Sequence, residues 1–195
     1  MSDFGFYFGL GWEHIMSPDA MDHILFVLVL AAIYLLKDWK QVLILVTAFT
    51  VGHSITLALS TLNLIQIEGP LVEFLIPCTI VITAIANLFQ KGASPRGMRL
   101  NYFLALFFGL IHGLGFANTL RFMLAQEGSL GWALFGFNVG LEVGQIVIVV
   151  IILLIAQLVV QLLKVPRRDW ILFVSAAVFS LALSMALERL PALSE

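Results

Sequence analysis

A chain of 195 residues in which 61% are apolar or aromatic and 11% charged cannot cover itself with polar surface as soluble domains do, at about 45–50% apolar and about 25% charged. Ten Lys and Arg against twelve Asp and Glu leave a net charge of −2, which excludes the basic field that holds nucleic acid. The single cysteine, Cys78, excludes an internal disulfide and a Cys-rich cluster, and a mean hydropathy of +1.05 identifies an integral membrane protein. Phosphate loops and Rossmann fingerprints do not occur in the sequence.

In chain order, residues 4–16 (FGFYFGLGWEHIM) are aromatic but too short to span, and suit an interfacial or re-entrant segment. Six apolar runs follow, at about 20–36, 41–60, 71–90, 101–120, 131–163 and 170–187, judged against the roughly 20 residues of a spanning helix. No run alternates with period two, so a lipid-facing barrel is excluded. The fifth run exceeds one span and must tilt or break. The expected fold is an all-α integral membrane bundle of six transmembrane helices, one domain over 1–195, preceded by the short N-terminal segment. The N-terminus lacks a basic stretch before Lys37, so the first span is expected to be retained. Lys37, Lys40, Lys91, Arg96, Arg99, Lys164, Arg167 and Arg168 fall on one side of the membrane and Arg121 and Arg189 on the other. The positive-inside rule then places both termini outside.

All four histidines, His14, His23, His53 and His112, sit in or beside apolar runs. Ionisable groups in a span cost free energy, about 2.5–3.5 kcal/mol for Asp at a helix centre, so they face the bundle interior and carry function. Glu142 is the most expensive of them. With Asn138 and Gln145 it recurs at i, i+4 and i+7, a polar stripe on the fifth run. Gly136, Gly140 and Gly144, and Gly109 with Gly113, have the spacing that lets helices approach closely. Cys78, beside Pro77, reads as a packing residue, and Glu68 and Glu73 as solvated or interfacial.

Depth ties these polar groups together. His53 and His112 each lie 13 residues from an inner charge, Lys40 and Arg99, while Asp22 and His23 stand near the outer start of the first span. At about 1.5 Å per residue, these groups and Glu142 all fall between the midplane and the outer surface. Imidazole and carboxylate without thiolate suit nickel, cobalt, zinc or ferrous iron. The competing reading is that each His hydrogen-bonds a carbonyl or hydroxyl across helices. The expected ligands are His14, Asp22, His23, His53, His112 and Glu142, supported by Asn138 and Gln145.

The segments HIMSPDAMDHILFVLVL (14–30), TAFTVGHSITLAL (47–59), FGLIHGLGFA (108–117) and FNVGLEVGQ (137–145) resemble the HupE/UreJ family of small membrane proteins over almost the whole chain. The motif style is that of the family's second, less characterised branch, with Pro18-Asp19 inside a longer gap between His14 and Asp22. The resemblance implies a nickel or cobalt permease of a bacterial-type inner (cytoplasmic) membrane, with metal-associated motifs at His14, Asp22 and His23, at His53, at His112, and at Asn138, Glu142 and Gln145. Membrane lipid and a divalent metal ion (nickel, cobalt or zinc) are the expected partners, nucleic acid is not, and a homo-oligomer stays open.

Two functional classes accommodate these groups. A permease would pass an ion from His14, Asp22 and His23 to His53, His112 and Glu142, although below them the spans are apolar apart from Asn87, Gln157 and Gln161. The alternative is an intramembrane metal-dependent hydrolase or transferase acting on a lipid or peptide carbonyl, with Glu142 or Asp22 as general base. The HExxH zinc signature is absent from the sequence. A structural subunit, in which the polar groups lock helices together, is the third class.

Overall fold

The computed structural model describes residues 3–89, 95–124, 130–190 and 192, with residues 3, 19, 95–100, 117–124 and 130 described by backbone alone. Lys91 and the side chains of Asp19, Arg96, Arg99 and Arg121 lie outside the described set. Seven α-helices form among the described residues: α1 (Asp3–Met16), α2 (Met21–Ala31), α3 (Trp39–Thr61), α4 (Gly69–Phe89), α5 (Pro95–Leu124), α6 (Leu130–Gln157) and α7 (Arg167–Arg189). No strand occurs among them. In an apolar solvent a backbone without water must satisfy its own N–H and C=O groups, and long apolar runs therefore become helices.

Helix ends follow local chemistry. Asn63 takes φ 59° just past α3, a left-handed position that Asn tolerates, and the Leu64 N–H returns to Leu59 O at 2.9 Å. α6 widens into a π-turn at Leu158–Leu162, and Pro166 precedes α7. Pro70 stands in the first turn of α4, where its missing N–H is harmless.

Glycines decide which helices meet. A Cβ on Gly109 would strike the carbonyl of Phe49, one on Gly52 that of Leu106, and one on Gly113 that of His53, so α3 and α5 pack backbone to backbone. Gly11 against the Phe137 carbonyl and Gly140 against that of Phe8 do the same for α1 and α6. These two crossings and the α4–α7 pair are the most extensive helix contacts. α2 lies at the centre, touching α4, α6 and α7, and Phe26, Val27 and Val29 are fully buried in the core it shares with Phe49, Ile80 and Leu141.

The first span departs from the expected 20–36. α2 has 11 residues, about 16 Å of rise, and the chain turns at buried residues Ala32–Leu35. α1 packs against α6. Its Tyr7 and Ile15 are buried, and it joins α2 at a 70° bend as a broken span or re-entrant loop. Four helices are long and apolar enough to cross a membrane among the described residues, and the bent pair makes five. The part of α5 with described side chains, Asn101–Phe116, is apolar but shorter, so a count of six spans is not established among the described residues. The apolar helices make this a multi-pass membrane protein.

Candidate metal centre

Four helices bring the four histidines to one place. The last turn of α1 carries His14, the first turn of α2 carries Asp22 and His23, the middle of α3 carries His53, and α5 carries His112. Ring centroids are 4.8 Å apart for His14 and His23 and 4.9 Å for His23 and His112. His53 stands 6.1 Å from both His14 and His23. One ring nitrogen from each of His14, His23 and His53 lies within 4.8 Å of the others. Imidazole donors on a tetrahedral zinc are about 3.4 Å apart.

Hydrogen bonding orients two of the rings. Asp22 Oδ1 accepts the backbone N–H of His23 at 2.8 Å and lies 2.9 Å from its Nδ1. An Nδ1–H donated to this carboxylate leaves the His23 Nε2 lone pair free, the arrangement common behind metal-bound imidazoles. The single proton of the Thr79 hydroxyl goes to Ile76 O at 2.7 Å. Its oxygen therefore accepts from His112 Nε2 at 3.3 Å, which leaves the lone pair on His112 Nδ1. Both nitrogens so freed are buried without a partner, as is His14 Nε2, and the buried His53 ring has the Asn138 side chain as its hydrogen-bonding neighbour. A buried polar atom without a partner costs about 1–3 kcal/mol. Hydrogen bonding across helices accounts for His112 Nε2 and reaches His53 through the Asn138 side chain, but it leaves Nε2 of His14 and His23 and Nδ1 of His112 without a partner.

An aromatic collar holds the rings. Phe116 stacks on Phe137 at 5.0 Å and touches His14 at 4.2 Å, while His53 stacks on Phe137 at 6.2 Å. Asn138 stands beside His53 and donates to Leu134 O within its own helix.

A cavity of about 570 Å³ opens beside this cluster, lined by His14, Asp22, His23 and His112 and, toward its mouth, by Glu13, Glu73 and Arg189. The mouth has a specific construction. Pro77 lacks an N–H and so leaves the Glu73 carbonyl, one turn earlier in α4, without its helical donor. Arg189 Nη1, at the end of α7, donates to that carbonyl at 2.8 Å and lies 3.8 Å from Asp22 Oδ2.

Not every expected site residue joins the cluster. Glu142 is half-buried and accepts a hydrogen bond from Thr47 Oγ1 at 2.8 Å. Gln145, fully buried, accepts one from Thr50 Oγ1 at 2.8 Å. These two bonds form a polar seam between α3 and α6, and Glu142 is not among the residues that line the cavity. Cys78 is a half-buried free thiol and is not among the residues that line the cavity. Sequence reasoning passed over Glu13, Thr79 and Arg189, because a hydroxyl in an apolar run and a charge at a helix end carry no signal of where they point.

Compared with known protein families, residues 1–189 match the family described as HupE / UreJ protein. No curated protein and no solved structure matches the chain.

Proposed function

Because the chain belongs to the HupE/UreJ family, which is associated with nickel and cobalt transport, we propose that it is a permease for a divalent transition-metal ion of the nickel or cobalt type. The observation that carries this reading is the approach of His14, His23 and His53 to within 4.8 Å, with ring nitrogens of His14 and His23 that lack partners. The ion is cargo. It enters the cavity past Glu13 and Glu73, exchanges water for the imidazoles of His14, His23 and His53, and has His112 as a further donor. Neutral imidazoles select borderline metals over calcium or magnesium, and the Asp22 carboxylate compensates charge where the surrounding dielectric is low.

The orientation read from the basic residues makes the cavity mouth the outer end, in a bacterial-type inner membrane with both termini outside. With α1–α2 as one broken span and α5 as another, the proposed topology has six crossings. The hydrolase reading has less support. Glu142, one of its two candidate bases, pairs with Thr47 away from the cavity.

Purified protein in sealed lipid vesicles containing a metal-sensitive dye tests the proposal. External Ni²⁺ or Co²⁺ should enter faster than into protein-free vesicles, and His23→Ala should abolish the difference. Tight binding of about one ion per chain with no uptake would replace transport by retention, as an enzyme or storage site requires.

A further inference from the structure

We infer that the buried polar edge of α4 is the inner leg of the ion's route, running from His112 toward the opposite end of the bundle. The inference rests on the permease reading. Thr79, Thr83 and Asn87 recur at i, i+4 and i+8, so they share one face of α4, and they are 3%, 8% and 5% exposed. The file starts at the metal centre, where Thr79 meets His112 at 3.3 Å. It ends about 12 Å further along the helix axis, where the Asn87 amide donates to Val29 O at 2.7 Å and lies 3.4 Å from Ser175 Oγ.

Between those ends lies a nearly closed chamber of about 10 Å³ with Thr83, Asn87 and Asn101 in its wall. That is about the least volume that admits one water, which needs two to four polar partners, and Thr83 and Asn87 present polar groups there. Thr83 is the informative member. Its hydroxyl donates to Thr79 O of its own helix at 2.8 Å. It is therefore a buried hydroxyl beside the chamber whose proton stays within α4, unlike donors that hold spans together. The Thr79 hydroxyl likewise donates within α4, to Ile76 O. Thr83 thus keeps acceptor capacity for a passing cation or its water, and Thr79, which already accepts from His112, keeps one lone pair. Among the described residues, a wide cavity lies on one side of the histidines and a water-sized chamber beside Asn87 on the other.

Thr83→Val removes the hydroxyl and keeps the volume. In the vesicle assay with Ni²⁺ or Co²⁺, it should lower the uptake rate at least tenfold, while purified variant and wild type bind the same metal per chain with the same affinity, and Thr83→Ser should restore uptake. If Thr83→Val does not accumulate in the membrane, Thr83→Ala is measured in its place against the same expectation. Wild-type uptake by the hydroxyl-free variant overturns the route and leaves the permease reading standing. Loss of metal binding together with uptake also overturns the route, since Thr83 would then act on the site. A wild-type protein that binds metal without moving it overturns both.

Discussion

At the scale of single residues, the charge on Asp22 and the placement of Glu142 make opposite predictions. Asp22 fixes the His23 ring through Nδ1 at 2.9 Å, and loss of such a carboxylate behind a metal-bound imidazole typically lowers affinity 10–100-fold. Asp22→Asn keeps the shape and loses the charge, so metal affinity by calorimetry should fall by about that factor with stoichiometry unchanged. An unchanged affinity would remove Asp22 from the site. Glu142 was as legible in the sequence as any histidine, a lone carboxylate in an apolar helix. Its Thr47 hydrogen bond survives in Glu142→Gln, whose amide oxygen still accepts. Metal bound per chain, measured by elemental analysis, should match wild type, and a halved content would show that the carboxylate reaches the ion. Periodicity put Asn138, Glu142 and Gln145 on one face. It is silent on whether that face turns to the histidines or to Thr47 and Thr50.

At the scale of elements, α1 is held by glycine rather than by apolar surface alone. Gly140 lets the Phe8 carbonyl rest on α6, and the same crossing sets the height at which His14 reaches His23. Gly140→Val places branched carbons where that carbonyl stands, and overpacking of this kind costs typically about 1–3 kcal/mol. The variant should melt at lower temperature in detergent and bind metal as weakly as His14→Ala. Combining the two changes should weaken binding little further, because both remove the same ligand. Additive losses would mean that α1 supports the centre by some path other than His14. The glycine spacing was visible in the sequence as a packing motif, but its partner was not. An aromatic segment of 14 residues reads as interfacial or re-entrant by length, and what the sequence does not show is that its faces find α6 and the histidine cluster.

For the whole molecule, orientation decides whether the cavity faces outward. With Cys78 replaced by Ser, Lys37→Cys and Arg168→Cys, both exposed positions, should react with an impermeant maleimide only from the cytoplasmic side. Labelling of either from outside would invert the topology and turn the Arg189 mouth inward. Composition determined that the protein lives in a membrane, and unbroken apolar runs without period-two alternation that it is helical, because transfer to lipid sums over residues and an unhydrated backbone has few ways to satisfy itself. The sequence also marked which groups are too expensive to bury without purpose, since that cost belongs to each side chain whatever its neighbours. Which of them meet was decided by tertiary structure. Successive residues on a helix turn by about 100°, so the close crossings at Gly113 and Gly140 choose the rotation and height of each helix. That choice points His53 and His112 inward, sends Glu142 to Thr47, and brings Arg189 from the far end of the chain to the carbonyl that Pro77 left free. None of these is a property of one segment, because each depends on the backbone separation of two helices far apart in sequence.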